Sequence, residues 1–374
     1  MPFKISSRHL TDSTVDVVFV HGLRLFRGVP RTDWRFGRGG RFAGPWPKAL
    51  ENDVEGVRVG YLSYDAPASN WFGRAMHLKE LAENLLDTLH ENGIGDRPIV
   101  FVTHSLGGLV VKELLLQSKN RGGNHGRVAN QCLGVVFLAT PHDGAHIADL
   151  VQRLKVIRPS RAIRHLLAHN VDLTYLRIEY ANWVLSRGDV EHLVLRETQK
   201  VGRILVVPEY SANPVIPDVR VVPINANHST IASPRDRRDQ VYTEVEGFLK
   251  NATSRARKNA AAAEKKRRRN LSKKRFLKLD SDLPALRRDE AALVKRRDVA
   301  ELADNMPEVG HANSALTLIE TEIKQVEAEL QTFPEEVRLA AAEKKSRRTA
   351  KQARHDAELN AAEDELWSPV FGER

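Results

Sequence analysis

Ser105, in the segment T-H-S-L-G spanning 103–107, and His228, in N-A-N-H-S-T-I spanning 225–231, are the residues whose types and settings could perform acyl transfer. A serine hydroxyl of ordinary acidity is a poor nucleophile near neutral pH. It needs an imidazole within hydrogen-bond reach to take its proton, and a carboxylate to fix the imidazole tautomer. Between the two in chain order stand Glu197 and Glu209, each at the end of an apolar, β-branched run. The order serine, acid, histidine is therefore available within one stretch of chain.

The elements around Ser105 suit a nucleophile. Ile99 to Val102 is a continuous apolar run bounded by Asp96 and Pro98, the pattern of a strand buried on both faces. Beyond the serine, Leu106, Leu109, Val110, Leu114 and Leu116 recur at three-and-four spacing, which predicts a mostly buried helix. A turn this tight between strand and helix holds its central residue in a strained conformation with the side chain pushed outward, and small neighbours make room for it. Gly107 meets that need downstream. Upstream, Thr103 places a β-branched side chain where such turns usually carry glycine, and it is expected to crowd the turn.

Further runs extend the pattern. Val15 to Val20 predicts a strand ending at His21-Gly22-Leu23, and Val57 to Tyr64 predicts another. A glycine just after the first core strand lets the loop approach the nucleophile turn, so the N–H groups of Leu23 and Leu106 are the expected oxyanion donors. The His21 side chain itself reads as a turn residue tied to local backbone. Met76 to Asn92 predicts an amphipathic helix closed by Gly93, and Val135 to Leu138 a strand. The stretch 145–186 reads as an irregular helical cap broken at Pro159. His192 to Leu195, Arg203 to Val207 and Val219 to Ile224 predict the remaining strands. Strands alternating with helices imply a mostly parallel sheet covered on both faces. The loop 24–46 interleaves Arg24, Arg27, Arg31, Arg35, Arg38 and Arg41 with Phe26, Trp34, Phe36, Phe42 and Trp46. It reads as a solvated loop or as a lid over an anionic headgroup and acyl chains.

The chain resembles the α/β-hydrolase lipases of the serine-active-site-containing group, including the relatives around the GPI inositol-deacylases. The matching pieces are V-F-V-H-G-L at 18–23, W-P at 46–47, R-V-G-Y-L-S-Y-D at 58–65, V-T-H-S-L-G-G-L-V-V-K at 102–112, F-L-A-T-P-H-D-G at 137–144, R-E-T at 196–198, V-V-P-E-Y-S-A at 206–212 and N-H-S-T-I at 227–231. The resemblance implies an eight-stranded hydrolase sheet with a helical cap over about residues 1–250, acting on carboxylic and often lipid esters. It carries the nucleophile to Ser105, the base to His228 and the oxyanion donors to Leu23 and Leu106. Glu197 stands where that group's acid sits, with Glu209 and Asp218 as alternatives. No cofactor is expected. His142, Asp143 and His146 lie close together, but His142 and Asp143 belong to the strand-end motif, so no metal is expected there either.

Residues 251–374 have a different character: Ala, Lys, Arg and Glu dominate, with no strand signal. Residues 255–297 hold 17 Lys/Arg against 5 Asp/Glu, whereas 298–374 hold 9 against 17, within a chain of net charge +10. Pro284, Pro307 to Gly310 and Pro334 are expected to divide the region into helices. Leu316, Ile319, Ile323, Val326 and Leu330 step by three and four, a narrow seam suited to a coiled coil. The basic and acidic halves are expected to pair, either as an antiparallel hairpin or between subunits, so that 264–366 serves a second copy or a protein partner. The basic run 265–269 offers an anionic membrane surface a contact. Nucleic acid is disfavoured, because Phe276 is the lone aromatic nearby. Two other functions compete with a free-standing esterase: a lipase effector idle until assembly through the arm, and a silent hydrolase scaffold whose arm does the work. One cysteine, Cys132, and no apolar leader suit a cytoplasmic protein.

Overall fold

The computed structural model of the chain describes residues 3–5, 13–22, 34–37, 44–64, 78–142, 170–203 and 205–371. Two compact units divide it, Met1–Asn259 and Ala260–Arg374.

The first unit is built on β1 (Phe3–Ile5), β2 (Val15–Val20), α1 (Trp46–Asp53), β3 (Val57–Leu62), α2 (Leu78–Glu91), β4 (Ile99–His104), α3 (Gly107–Arg121), α4 (Arg127–Gln131), β5 (Cys132–Leu138), α5 (Asn170–Arg187), β6 (Glu191–Glu197), α6 (Glu209–Ala212), β7 (Val221–Ile224) and the start of α7 (Gln240–Leu302). The described strands form one seven-stranded sheet in the order β1-β3-β2-β4-β5-β6-β7. β1 pairs antiparallel with β3, and every other neighbouring pair is parallel. All residues of β2, β4 and β5 are buried, because helices cover both faces and leave neither open to solvent. One apolar cluster packs α2, α3 and α5 on one face, through residues such as Leu85, Leu114 and Tyr180. The other packs α1 and the first turns of α7 on the opposite face, through Leu50, Val245 and Leu249. Ala252 and Ala256 are still buried in that second cluster, so α7 belongs to the core of the first unit past residue 250. Asp16 and Arg58, opposite each other on β2 and β3, form a buried bidentate ion pair at 2.6 and 2.8 Å.

Parallel strands bring their carboxyl ends to one edge, which β2, β4, β6 and β7 reach at Val20, His104, Glu197 and Ile224. The chain turns to one side of β2 for β3 and to the other for β4, so the connections diverge between β2 and β4, the place where open α/β sheets leave a crevice.

Several expectations need correction. The described residues of the expected strand from Arg203 to Val207 do not form one: the N–H groups of Val206 and Val207 are spent on the Glu197 carboxylate rather than on a neighbouring strand. The described sheet therefore has seven strands where eight were expected. Trp34 and Trp46 belong to neither a solvated loop nor a lid. Both are buried with their rings edge-on to Phe19 at 5.1 and 5.3 Å, and Trp46 Nε1–H donates to the Ala232 carbonyl. Most of 24–46, and 145–169 of the expected cap, lie outside the described residues.

In the second unit α7 continues to Leu302, α8 is Met306–Thr332 and α9 is Glu335–Phe371. Pro284 does not end a helix as expected; it lies inside α7. A lone proline costs roughly 3 kcal/mol in a helix interior. Contacts on either side of it, Asp280 with Lys345 and Arg287 with Glu327, tie α7 to the other two helices there. Pro307 sits instead in the first turn of α8, capped by Asn305, and Pro334 separates α8 from α9. Arg275 with Glu329 and Arg296 with Glu308 show that α8 runs antiparallel to α7. Leu316 and Ile323 of the apolar seam are buried there. No described helix is long and apolar enough to cross a membrane.

Candidate active site

Ser105 is held at the carboxyl edge of the sheet by the turn between β4 and α3. Its φ is +52°, a left-handed conformation that a non-glycine residue keeps only where the surroundings impose it. Its N–H donates to the Leu138 carbonyl at 2.9 Å, tying the turn to β5. Small residues surround it for steric reasons. A Cβ on Gly107 would lie 2.5 Å from the His21 carbonyl oxygen, and one on Gly22 would lie 2.7 Å from Ser105 Cβ. The loop after β2 thus lies directly against the turn. Thr103 does not crowd it: the side chain is buried in the sheet, and its hydroxyl donates to the Val136 carbonyl at 2.9 Å.

The loop after β7 delivers His228. Ser105 Oγ lies 2.9 Å from His228 Nε2, and His228 Nδ1 lies 2.7 Å from Glu197 Oε2. All three side chains are buried, and Glu197 has no exposed surface. The other Glu197 oxygen, Oε1, accepts from the N–H groups of Val206 and Val207 at 2.7 and 2.9 Å. With its carboxylate so placed, Glu197 is bonded to the Nδ1 side of His228, leaving Nε2 free to accept the Ser105 proton. Glu209 is instead exposed on α6, beside Arg196 at 3.2 Å. Asp218 is exposed in a turn with φ +61°. Neither reaches the histidine.

Of the two expected backbone donors, Leu106 opens α3, where the helix N-terminus favours developing negative charge. Leu23 lies outside the described residues, as do Asp143 and His146. Its predecessors are fixed in place: the Tyr64 hydroxyl donates to the His21 carbonyl at 2.7 Å, and the two rings stack 4.6 Å apart. The His21 side chain is tied locally, Nδ1 to the Gly22 carbonyl at 2.7 Å.

Sequence reasoning missed three contributors. Tyr64 was quoted within a matching stretch, but nothing in its spacing announced the bond to His21. The donors on Val206 and Val207 are backbone groups and leave no mark in side-chain chemistry. His104 stands directly before Ser105 in the chain; its ring nitrogen Nε2 lies 2.8 Å from the His228 carbonyl oxygen. Burial holds its pKa down at about 3, with the nearby His228 adding to the effect.

A second buried group lies on the α2/α3/α5 side of the sheet. Lys112 of α3 has no exposed surface, and among the described residues Nζ has no hydrogen-bond partner. It sits 4.9 Å from the Tyr180 ring centroid and 5.5 Å from that of Phe137. Burial brings its pKa down to about 7. His142, within the strand-end motif, is also buried, with both ring nitrogens unpartnered among the described residues, and burial pushes its pKa well below the usual histidine value.

A family model described as the alpha/beta hydrolase family matches residues 17–328. Protein SERAC1 of Homo sapiens is 28% identical over 266 residues, covering 65% of this chain and 40% of that protein. Protein SERAC1 of Danio rerio is 28% identical over 262 residues, covering 63% and 39%. The chain thus spans about two fifths of the length of these curated relatives. Among solved structures, phospholipase PlaB from Legionella pneumophila is similar at 16% identity and a TM-score of 0.42, over 66% of this chain and 64% of that one. The NocB thioesterase domain from the Nocardicin cluster is similar at 17% identity and a TM-score of 0.33, over 65% and 94%.

Proposed function

The chain belongs to the alpha/beta hydrolase family, and from that premise we propose that it is a serine hydrolase cleaving carboxylic esters, with lipid or phospholipid esters as its substrate class. The observation that carries the reading is the unbroken hydrogen-bond relay from Ser105 through His228 to Glu197. A fully buried carboxylate held on one oxygen by two backbone N–H groups is costly to build unless its second oxygen has work to do.

In this mechanism Ser105 Oγ attacks the ester carbonyl carbon while His228 Nε2 takes the hydroxyl proton. The oxyanion is held by the N–H of Leu106, with that of Leu23 as the second proposed donor. The C–O bond to the leaving alcohol then breaks, and His228 returns the proton to the alkoxide oxygen. Water attacks the acyl-enzyme, giving its proton to His228. Collapse of that second intermediate expels Ser105 Oγ, which takes the proton back, and the carboxylic acid departs. Glu197 keeps the imidazole in the Nδ1–H tautomer and stabilises the imidazolium between the two transfers.

The lipid part of the proposal is supported by the motifs shared with the lipase group. The helical arm is proposed to bind a second copy or a protein partner, and the protein to act in the cytoplasm, at membranes where its substrate lies. The test is labelling of the full-length chain with a fluorophosphonate probe, beside Ser105→Ala and His228→Ala. Labelling of the wild type alone is expected, and equal labelling of Ser105→Ala would sink the assignment. Hydrolysis of vesicle phospholipid against a soluble short-chain ester then assigns the substrate class.

A further inference from the structure

His104 ends β4, and the next residue is the nucleophile. Its Nε2 lies 2.8 Å from the carbonyl oxygen of His228, the residue 124 positions later whose ring faces Ser105. A carbonyl oxygen accepts and cannot donate, so the ring proton of His104 sits on Nε2. The other nitrogen, Nδ1, is buried without a partner among the described residues. Leaving a buried acceptor unpaired costs about 1–3 kcal/mol. A leucine or methionine would fill the same space without that cost, so the ring does something that filling space does not explain.

What the bond accomplishes follows from its two ends. The loop carrying His228 is otherwise organised by Asn227, whose side chain accepts from the N–H groups of Ser229 and Thr230, while Ile231 N–H donates to its carbonyl. Those bonds shape the loop internally, and the Ala226 carbonyl ties it to the end of β6 by accepting from the N–H groups of Thr198 and Gln199, but none of these attaches it to the strand end that bears Ser105. His104 supplies that attachment. Its ring lies edge-on to Trp34, centroids 6.5 Å apart, and 5.1 Å from the His228 ring, so it is boxed in place.

We infer that His104 is a positioning residue of the proposed reaction: its Nε2–H holds the main chain of His228, so that adjacent residues of one strand end place both the nucleophile and the base. The inference rests on the reading of Ser105 and His228 given above. Burial keeps the ring neutral down to about pH 3, against His228 and His21 as the nearby titratable groups, so the single proton stays on Nε2 at any pH where the enzyme would work.

The test uses the full-length chain and exploits side-chain geometry. A glutamine amide nitrogen falls near the place of a histidine Nε2, whereas an asparagine amide nitrogen falls near that of Nδ1. His104→Gln is therefore expected to hydrolyse a soluble p-nitrophenyl ester within a few-fold of wild type. His104→Asn and His104→Leu are expected to lose on the order of 10²-fold in kcat, the scale of a roughly 1 Å misplacement, with KM little changed. Equal activity of the asparagine and glutamine variants would overturn the inference while leaving the serine hydrolase reading standing. A wild type that neither hydrolyses nor labels would overturn both. Nitrogen-15 NMR of the wild-type histidines needs no variant to fold. A neutral Nε2–H tautomer for His104 from pH 5 to 8 is expected, and an imidazolium or an Nδ1–H tautomer there would overturn the inference.

Discussion

Glu197 and His228 are joined at 2.7 Å through Oε2 and Nδ1, and the oxygen that Glu197 does not offer to the histidine is held by the N–H groups of Val206 and Val207. Each carboxylate oxygen thus faces only donors. An amide cannot satisfy both sides. If the carbonyl of Glu197→Gln faces His228, its NH2 meets two N–H groups; if it faces the loop, its NH2 faces Nδ1 and favours the tautomer that cannot accept from Ser105. The expected result is a fall of about 10³–10⁴ in kcat on a soluble ester. Retention of more than a tenth of wild-type kcat would remove Glu197 from the mechanism.

The glycines around the turn are predicted to fail in different ways. Gly107→Ala would bring Cβ to 2.5 and 2.6 Å from the backbone oxygens of His21 and Val20, which cannot yield without moving β2. Gly22→Ala would press instead on the Ser105 side chain, 2.7 Å from its Cβ. The first is expected to lower the thermal unfolding temperature markedly, the second to abolish fluorophosphonate labelling with a smaller loss of stability. Thermal melts run beside labelling would separate the two, and equal melting temperatures would contradict the packing described.

How much of this was legible in the sequence depended on what each residue's signal was made of. The buried strands Val15–Val20, Ile99–His104 and Cys132–Leu138 announced themselves as apolar runs, and the turn at Ser105 followed from where one of those runs stopped. Ser105 and His228 were legible because the chemistry demands their residue types at strand ends. Glu197 could be separated from Glu209 and Asp218 only in three dimensions, because what selects it is a pair of backbone donors from a loop that reads as a strand. Trp34 and Trp46 misled for the opposite reason: arginine and glycine neighbours made the segment look solvated, while its tryptophans pack on Phe19.

Thr103 is the departure from the usual motif that the structure explains most simply. Because its hydroxyl bonds the Val136 carbonyl on the next strand, Thr103→Val should cost about 1 kcal/mol in chemical unfolding. Restoring glycine should cost more, since a strand interior loses both packing and backbone restriction. Neither should raise turnover. A Thr103→Gly variant faster than wild type would show that the threonine does crowd Ser105.

Lys112 makes a prediction about stability that is independent of catalysis. Its amine is buried against Phe137 of β5 and Tyr180 of α5, with Arg177 of α5, His142 after β5 and His192 of β6 as the facing titratable or charged groups. Burial lowers its pKa from the unfolded value of 10.5 to about 7. Below about pH 7 both states carry the proton, and the folded state bears the full cost of a buried cation. Between about 7 and 10.5 the unfolded chain binds a proton that the folded chain does not, so this group's contribution to stability rises with pH across that window. Lys112→Met removes the penalty. It should be more stable than wild type by a few kcal/mol at pH 6, and the gap should close by pH 10. Urea unfolding followed through the tryptophans, of which Trp34, Trp46 and Trp183 are buried in the same unit, measures the difference at each pH. A gap that stayed constant from pH 6 to 10 would mean that Lys112 is neutral, or solvated, throughout.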